Sequence, residues 1–155
     1  MSADNEKSTQ AAKIVRSHMF GSVAAGIVPI PLLDIGILGG VQLRMVRKLA
    51  ELYDVEFSEQ RTRVLLSSLV GVGLAGTAGS VLKMLAPGAA KALFGLGSLA
   101  VGPATTYAIG QVFIKHFESG GTIWTFDASR AKEDYDEELE QGQRVVEETY
   151  AGIRP

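Results

Sequence analysis

A small set of polar residues stands inside otherwise apolar sequence. Asp34 interrupts the run "IVPIPLLDIGILGG" from Ile27 to Gly40, and Gln42 follows it. Tyr107, Gln111 and Lys115 recur four apart, with His116 beside the last. On a helix that spacing puts all three on one face. Such groups can make interhelical hydrogen bonds, here with Gln42 as the partner. They can instead line a polar route for ions or protons, or, for Asp34 with His116, exchange protons with a substrate. The hydrogen-bonding reading is preferred. Asp34 itself follows Val28-Pro29-Ile30-Pro31, which no helix crosses smoothly. It therefore falls in the first turn of a new helix, where a carboxylate meets exposed amides and the positive end of the dipole.

Other chemistry is missing from the sequence. No G-x-x-x-x-G-K-[ST] loop is present, and the glycines of "GVGLAGTAG" sit among apolar residues with no strand before them. There is no H-E-x-x-H and no nucleophile-elbow serine. The two histidines, His18 and His116, lie far apart, and there is no cysteine. That pattern gives no metal site, no cofactor and no catalytic centre. A net charge of -2 gives no case for nucleic-acid binding. The expectation is a protein that is not an enzyme.

The elements that carry these residues are helical. Three stretches are nearly free of charge: Met19 to Leu43 with Asp34 alone, Val64 to Leu82 and Ala92 to Ile114 with none. Each reaches the roughly 20 residues that a membrane-crossing helix needs. Gly71, Ala75 and Gly79 lie four apart, as do Gly102, Thr106 and Gly110, so each set forms a small-residue face that lets backbones approach closely. These faces are expected to pack between copies of the chain. Pro87 and Gly88 divide the second and third stretches, which predicts an antiparallel Gly-rich hairpin over 64–117, kinked at Pro103. Insertion in lipid and burial between subunits both remain open for it.

Before the hairpin, the first helix is expected to end near Ile27, and the next to run from Leu32 to about Tyr53. Leu38, Val41, Met45, Leu49 and Leu52 form its apolar stripe. Arg44, Arg47 and Lys48 take its other faces, and Ser58 caps a third helix that opens with Arg61 and Arg63. These five cations flank one loop, a solvated surface that also suits anionic lipid headgroups. After the hairpin, Trp124 and Phe126 lie in a short β-prone run that either anchors at a headgroup boundary or covers the helical body. Asp127 then caps an amphipathic helix to about Tyr150, striped by Ala131, Tyr135, Leu139, Val146 and Tyr150 and interrupted by Gly142.

Charge divides the chain in two. Residues 1–126 carry 11 Lys and Arg against 8 Asp and Glu, and residues 127–155 carry 4 against 9. The sequence thus reads as an apolar helical body followed by an acidic helical tail, which can turn its acidic side towards the Arg44 to Arg63 region. No secretory signal is visible at the start.

The segment "IVPIPLLDIGILGGVQLRMVRKLAELYDVEFS", the glycine-rich hairpin and "TTYAIGQVFIKHFESGGT" together resemble the YcjF-like bacterial family of unknown function. The most specific parts are the P-I-P-x-x-D segment with Gln42 and Met45, and Thr106 to Gly110 with His116 and Phe117. The resemblance spans roughly residues 10 to 125 and implies a membrane-associated helical protein, often fused to or encoded near Era-type small GTPase domains. It supplies no catalytic residues, and this chain lacks the GTPase half, so a nucleotide-dependent role needs a separate GTPase partner. The combined expectation is an all-α, membrane-associated homo-oligomer that scaffolds or recruits, at the bacterial inner membrane or its cytoplasmic face. Two alternatives stay open: a small channel or transporter subunit with a path near Asp34, Gln42, Tyr107 and Gln111, and a soluble cytoplasmic helical shell protein.

Overall fold

The computed structural model describes residues 2–22, 31–75 and 96–152, with side chains at 2–22, 38–69 and 102–152. The described residues are all-helical, with no strand. Five helices follow one another: α1 (Ala3–Gly21), α2 (Pro31–Leu52), α3 (Glu59–Ala75), α4 (Leu96–Glu118) and α5 (Lys132–Ala151).

Each helix begins and ends where local chemistry requires. The α1 helix has Asp4 and Glu6 in its first turn and His18 in its last, matching the sign of the helix dipole. Ala11, Val15 and Met19, four apart, are its buried residues. The α2 helix opens on Pro31, whose fixed φ and missing amide suit a first helical position. It closes through a Schellman turn: the Val55 amide donates to the Ala50 carbonyl at 2.8 Å and the Asp54 amide to Glu51 at 3.3 Å. Asp54 occupies the left-handed position of that turn, at φ 56°. Ser58 caps α3 as expected, its hydroxyl accepting from the Arg61 amide at 3.4 Å. The Gly121 and Gly120 amides close α4 on the His116 and Phe117 carbonyls at 2.9 and 3.0 Å, with Gly120 at φ 84°.

Pairs of long-range contacts set the directions. Lys7 meets Asp54 at 3.5 Å, and the Tyr53 hydroxyl donates to Glu118 at 2.7 Å. The start of α1 and the ends of α2 and α4 therefore share one end of the bundle, so α1 runs antiparallel to both. At the other end, Gly102 lies beside the Ser22 carbonyl and Leu38. The α5 helix starts beside Lys115 and passes Ala104 at Gly142, antiparallel to α4.

The α4 helix is the axis of the bundle. The α1, α2 and α5 helices all pack on it, and α5 does so along most of its length. Ala104, Thr106, Ala108, Ile109, Val112, Phe113 and Phe117 are all buried, and the stripe of Tyr107, Gln111 and Lys115 is partly open to solvent over this length. A helix that is apolar over most of its surface must be surrounded there, and here the surroundings are the chain's own helices. That is the physical reason for its charge-free sequence. Among the described residues no helix is long and apolar enough to cross a membrane. The helix continues through Pro103. The connection of the expected hairpin, with Gly79, Pro87 and Gly88, lies outside the described residues, as do residues 23–30, where the first helix was expected to end; α1 is helical only to Gly21.

The β-prone run is not a strand. Residues 123–125 form a turn, and its two aromatics part company. Phe126 is buried and stacks on Phe113 with ring centroids 4.4 Å apart, whereas Trp124 is 56% exposed beneath the Arg61 guanidinium. Phe126 covers the helical body, and Trp124 remains available at the surface. Asp127 accepts from the Ser129 and Arg130 amides at 2.9 and 3.2 Å and so caps the turn before α5, whereas the N-cap of α5 itself is Ala131 and not Asp127.

Candidate functional site

The polar residues singled out in the sequence separate onto different surfaces of α4. The Gln42 amide donates to the Thr106 hydroxyl at 3.4 Å, and both residues are buried. This is the interhelical bond expected of Gln42, made to Thr106. It joins α2 to α4 and satisfies groups that would be costly to bury alone. Tyr107 and Lys115 instead look towards Glu138 of α5. Burial raises the Tyr107 phenol above its ordinary value, the Glu138 charge adds to this, and Arg16 and Lys115 oppose it. Lys115 meets Glu138 at 2.9 Å and Asp134 at 3.4 Å, and the Glu138 bond holds its ammonium above the ordinary range. Gln111 is half-buried between them on the same stripe. His116 turns away to the following loop, with Nε2 2.9 Å from the Thr122 carbonyl and the ring edge-on to Phe126. Its role here is to hold the loop that closes α4. Asp34 is the fourth residue of α2, and its side chain lies outside the described residues.

The small-residue face of α4 is filled from within the chain. A Cβ on Gly110 would stand 2.5 Å from Val15 Cγ2, so α1 seats directly on this glycine. Thr106 is occupied by Gln42, and Gly102 faces Ser22 and Leu38. The close approach that the spacing predicts is present, and its partner is α1 and α2 of the same chain. Gly71 and Ala75 lie in α3, but what surrounds them lies outside the described residues, together with Gly79.

The acidic helix also behaves differently from expectation. Its cation partner is Lys115 on α4, whereas Arg47 pairs with Glu51 at 3.3 Å and Arg63 with Glu59 at 2.9 Å, each within its own helix. Gly142 does not interrupt the stripe. It is buried, and a Cβ there would meet the Ala104 carbonyl oxygen at 2.8 Å, so it is where α5 lies closest to α4. Tyr135 and Val146 are buried on either side of it, and Tyr150 is exposed.

The family comparison matches residues 2–144 to the domain of unknown function DUF697. The chain belongs to the DUF697 family. A curated relative of this DUF697 chain is magnetosome membrane protein 22 of Magnetospirillum gryphiswaldense, 40% identical over 140 residues that cover 88% of this chain and 72% of the relative. No solved structure gives a significant match.

Two features of this DUF697 bundle were not read from the sequence. One is the Tyr53 to Glu118 bond, whose partners are 65 positions apart and carry no local signal. The other is a groove of about 360 Å³ between α1 and α2, where Ser17, His18 and Gly21 face Arg44, Arg47 and Lys48. The α2 side was visible as a basic cluster. The α1 side could be found only from the amphipathic phase of α1, which places Ser17, His18 and Gly21 off the Ala11-Val15-Met19 stripe.

The helices also share a polarity along the bundle axis. The last charge of α1 before Ser22 is at Arg16, with His18 beyond it, and α3 carries none after Arg63. From its first residue α4 carries none until Lys115, and within α2 only Asp34 precedes Arg44. Given the helix directions, these charges gather at the end formed by the α2–α3 and α4–α5 connections. The α5 helix is the exception, charged along its whole outer face.

Proposed function

We propose that this chain is a non-enzymatic, membrane-associated helical scaffold that works as a homo-oligomer and recruits a partner. The observation that carries the reading is the axial segregation of charge in α1 to α4. A water-soluble bundle has no need to keep one end of four helices free of ionised groups but for Asp34, whereas a lipid boundary imposes that asymmetry through the cost of burying charge. A 40% identical relative named a magnetosome membrane protein supports the same reading. The α4 helix is packed among its neighbours, so the contact with lipid falls to the end of α2 that carries Asp34 as its one charge and to the charge-free end of α3. The charged side of α5 belongs to water. Its acidic outer face is the surface offered to a partner, a separate small GTPase on the family resemblance, at the cytoplasmic face of a bacterial inner membrane.

The test is fractionation of the full chain expressed in bacteria. It should sediment with membranes and be released by detergent, and native mass measurement in that detergent should give a defined multiple of the 16.5 kDa chain. Recovery of all the protein in the high-speed supernatant without detergent would overturn the membrane reading. A single-chain mass would overturn the scaffold. In the oligomer, Gly71→Leu should lower the mass, because Gly71 and Ala75 lie four apart on α3, the spacing of a small-residue face that lets backbones approach closely.

A further inference from the structure

We infer that the groove between α1 and α2 is a binding site for the phosphate group of anionic lipid headgroups. The inference rests on the membrane reading and adds the chemistry of the contact. Arg44 and Lys48 lie four apart on α2 and so share one face, with Arg47 on the adjoining row. Arg47 is already engaged, by Glu51 at 3.3 Å and by the Phe57 ring, 5.8 Å from its guanidinium. Arg44 and Lys48 are exposed and make no ion pair among the described residues. Across the groove, His18 Nδ1 lies 2.8 Å from the Ile14 carbonyl, and its Nε2 has no bond among the described residues. The Ser17 hydroxyl donates to the same Ile14 carbonyl at 2.9 Å, and Gly21 leaves open space beside its Cα. The free donors around this space of about 360 Å³ are therefore the Arg44 guanidinium and the Lys48 ammonium, which is the chemistry that holds a phosphate, and the carboxylate that lines it, Glu51, is paired with Arg47.

Position selects the source of that phosphate. The groove lies at the polarity boundary of the bundle: Arg44 is the first charge of α2 after Asp34, and Gly21 is followed by the end of α1. Phe20, next to Gly21 in the chain, is 51% exposed, an aromatic ring that a membrane interface would accept. A free phosphate would have no use for that ring or for the boundary. A lipid headgroup meets both.

The experiment uses the full chain and flotation with two kinds of vesicle, phosphatidylcholine alone and equal parts of phosphatidylcholine and phosphatidylglycerol. The wild type should bind the anionic vesicles more tightly. Arg44→Gln with Lys48→Gln should reduce that affinity roughly 20-fold, from about fivefold per cation near an anionic surface. The same pair should leave binding to phosphatidylcholine unchanged. Arg130→Gln with Arg144→Gln, exposed cations on the α4–α5 connection and on α5, should change little, and thermal unfolding of each variant checks that it folds. Equal wild-type binding to both vesicles overturns the groove and leaves the membrane reading intact. Binding to neither overturns both. An equal loss in the control pair overturns the site in favour of general surface charge. Displacement from anionic vesicles by inorganic phosphate, but not by chloride of equal ionic strength, overturns the lipid assignment in favour of a free-phosphate site.

Discussion

Substituting Gly110 by alanine tests the arrangement of the core most directly. The new methyl would stand 2.5 and 2.9 Å from the two Val15 methyls and 3.2 Å from Val15 Cβ. A valine in a helix is held to essentially one rotamer, so it cannot swing away, and α1 must shift off α4. Overpacking of this kind costs about 1–3 kcal/mol. Against it stands a gain of roughly 1 kcal/mol for replacing glycine by alanine inside a helix. The net expectation is a change between neutrality and destabilisation by about 2 kcal/mol, the difference of those two terms. Val15→Ala alone removes two methyls from a fully buried site and should cost about 2 kcal/mol, from roughly 0.8 kcal/mol per group plus a cavity. In the double variant the methyl removed from one helix makes room for the methyl added to the other. It should be no less stable than Val15→Ala, a coupling of about 1–3 kcal/mol, the overpacking that is relieved. Denaturant unfolding of the wild type and three variants closes the cycle. Additive effects, or a Gly110→Ala protein stabilised by the full gain of roughly 1 kcal/mol that alanine brings to a helix, would refute the seating of α1 on α4.

Two further outcomes follow from the helix ends. Asp54→Gly should stabilise the chain by about 0.5–1 kcal/mol, because glycine takes the left-handed position of the α2 terminus without penalty; the exposed Lys7 pair it gives up is worth little, and a lowered midpoint would contradict the assignment. Burial first, and then the bond and charge of Glu118, raise the Tyr53 phenol above its ordinary value of 10.0. A raised folded value makes this contribution complete below pH 10.0 and lost as pH climbs through the folded value. Tyr53→Phe should therefore cost roughly 1 kcal/mol at neutral pH and unfold with a shallower alkaline slope than the wild type; parallel curves would show that the phenol is uncoupled from folding.

Much of the architecture was legible in the sequence because helices announce themselves locally. The P-x-P break fixes the start of α2 at Pro31, Ser58 caps α3, and the Ser119-Gly120-Gly121 run ends α4. What the sequence left open were the partners. Four-residue spacing of glycine states that something approaches closely, not whether it belongs to the same chain, and Gly110 turned out to receive Val15. A charge-free run states that a helix is enclosed, not by what, and for α4 the answer is α1, α2 and α5. The candidate polar residues shared a face by spacing, but Gln42 chose Thr106, Lys115 chose Glu138 and His116 chose its own loop. Gly142 was misread for the same reason: a glycine in an amphipathic stripe looks like a gap until the facing backbone is known.

The central placement of α4 has a consequence for how the protein is made. The helices that enclose it on the N-terminal side leave the ribosome first, and their partners arrive much later: Gln42 waits 64 positions for Thr106, and Tyr53 waits 65 for Glu118. Until then the seats of Val15, Met45 and Leu49 are bare. The nascent chain therefore spends most of its synthesis with unsatisfied greasy surface, a state that invites capture by a chaperone or by a nearby bilayer before the axis is threaded into place.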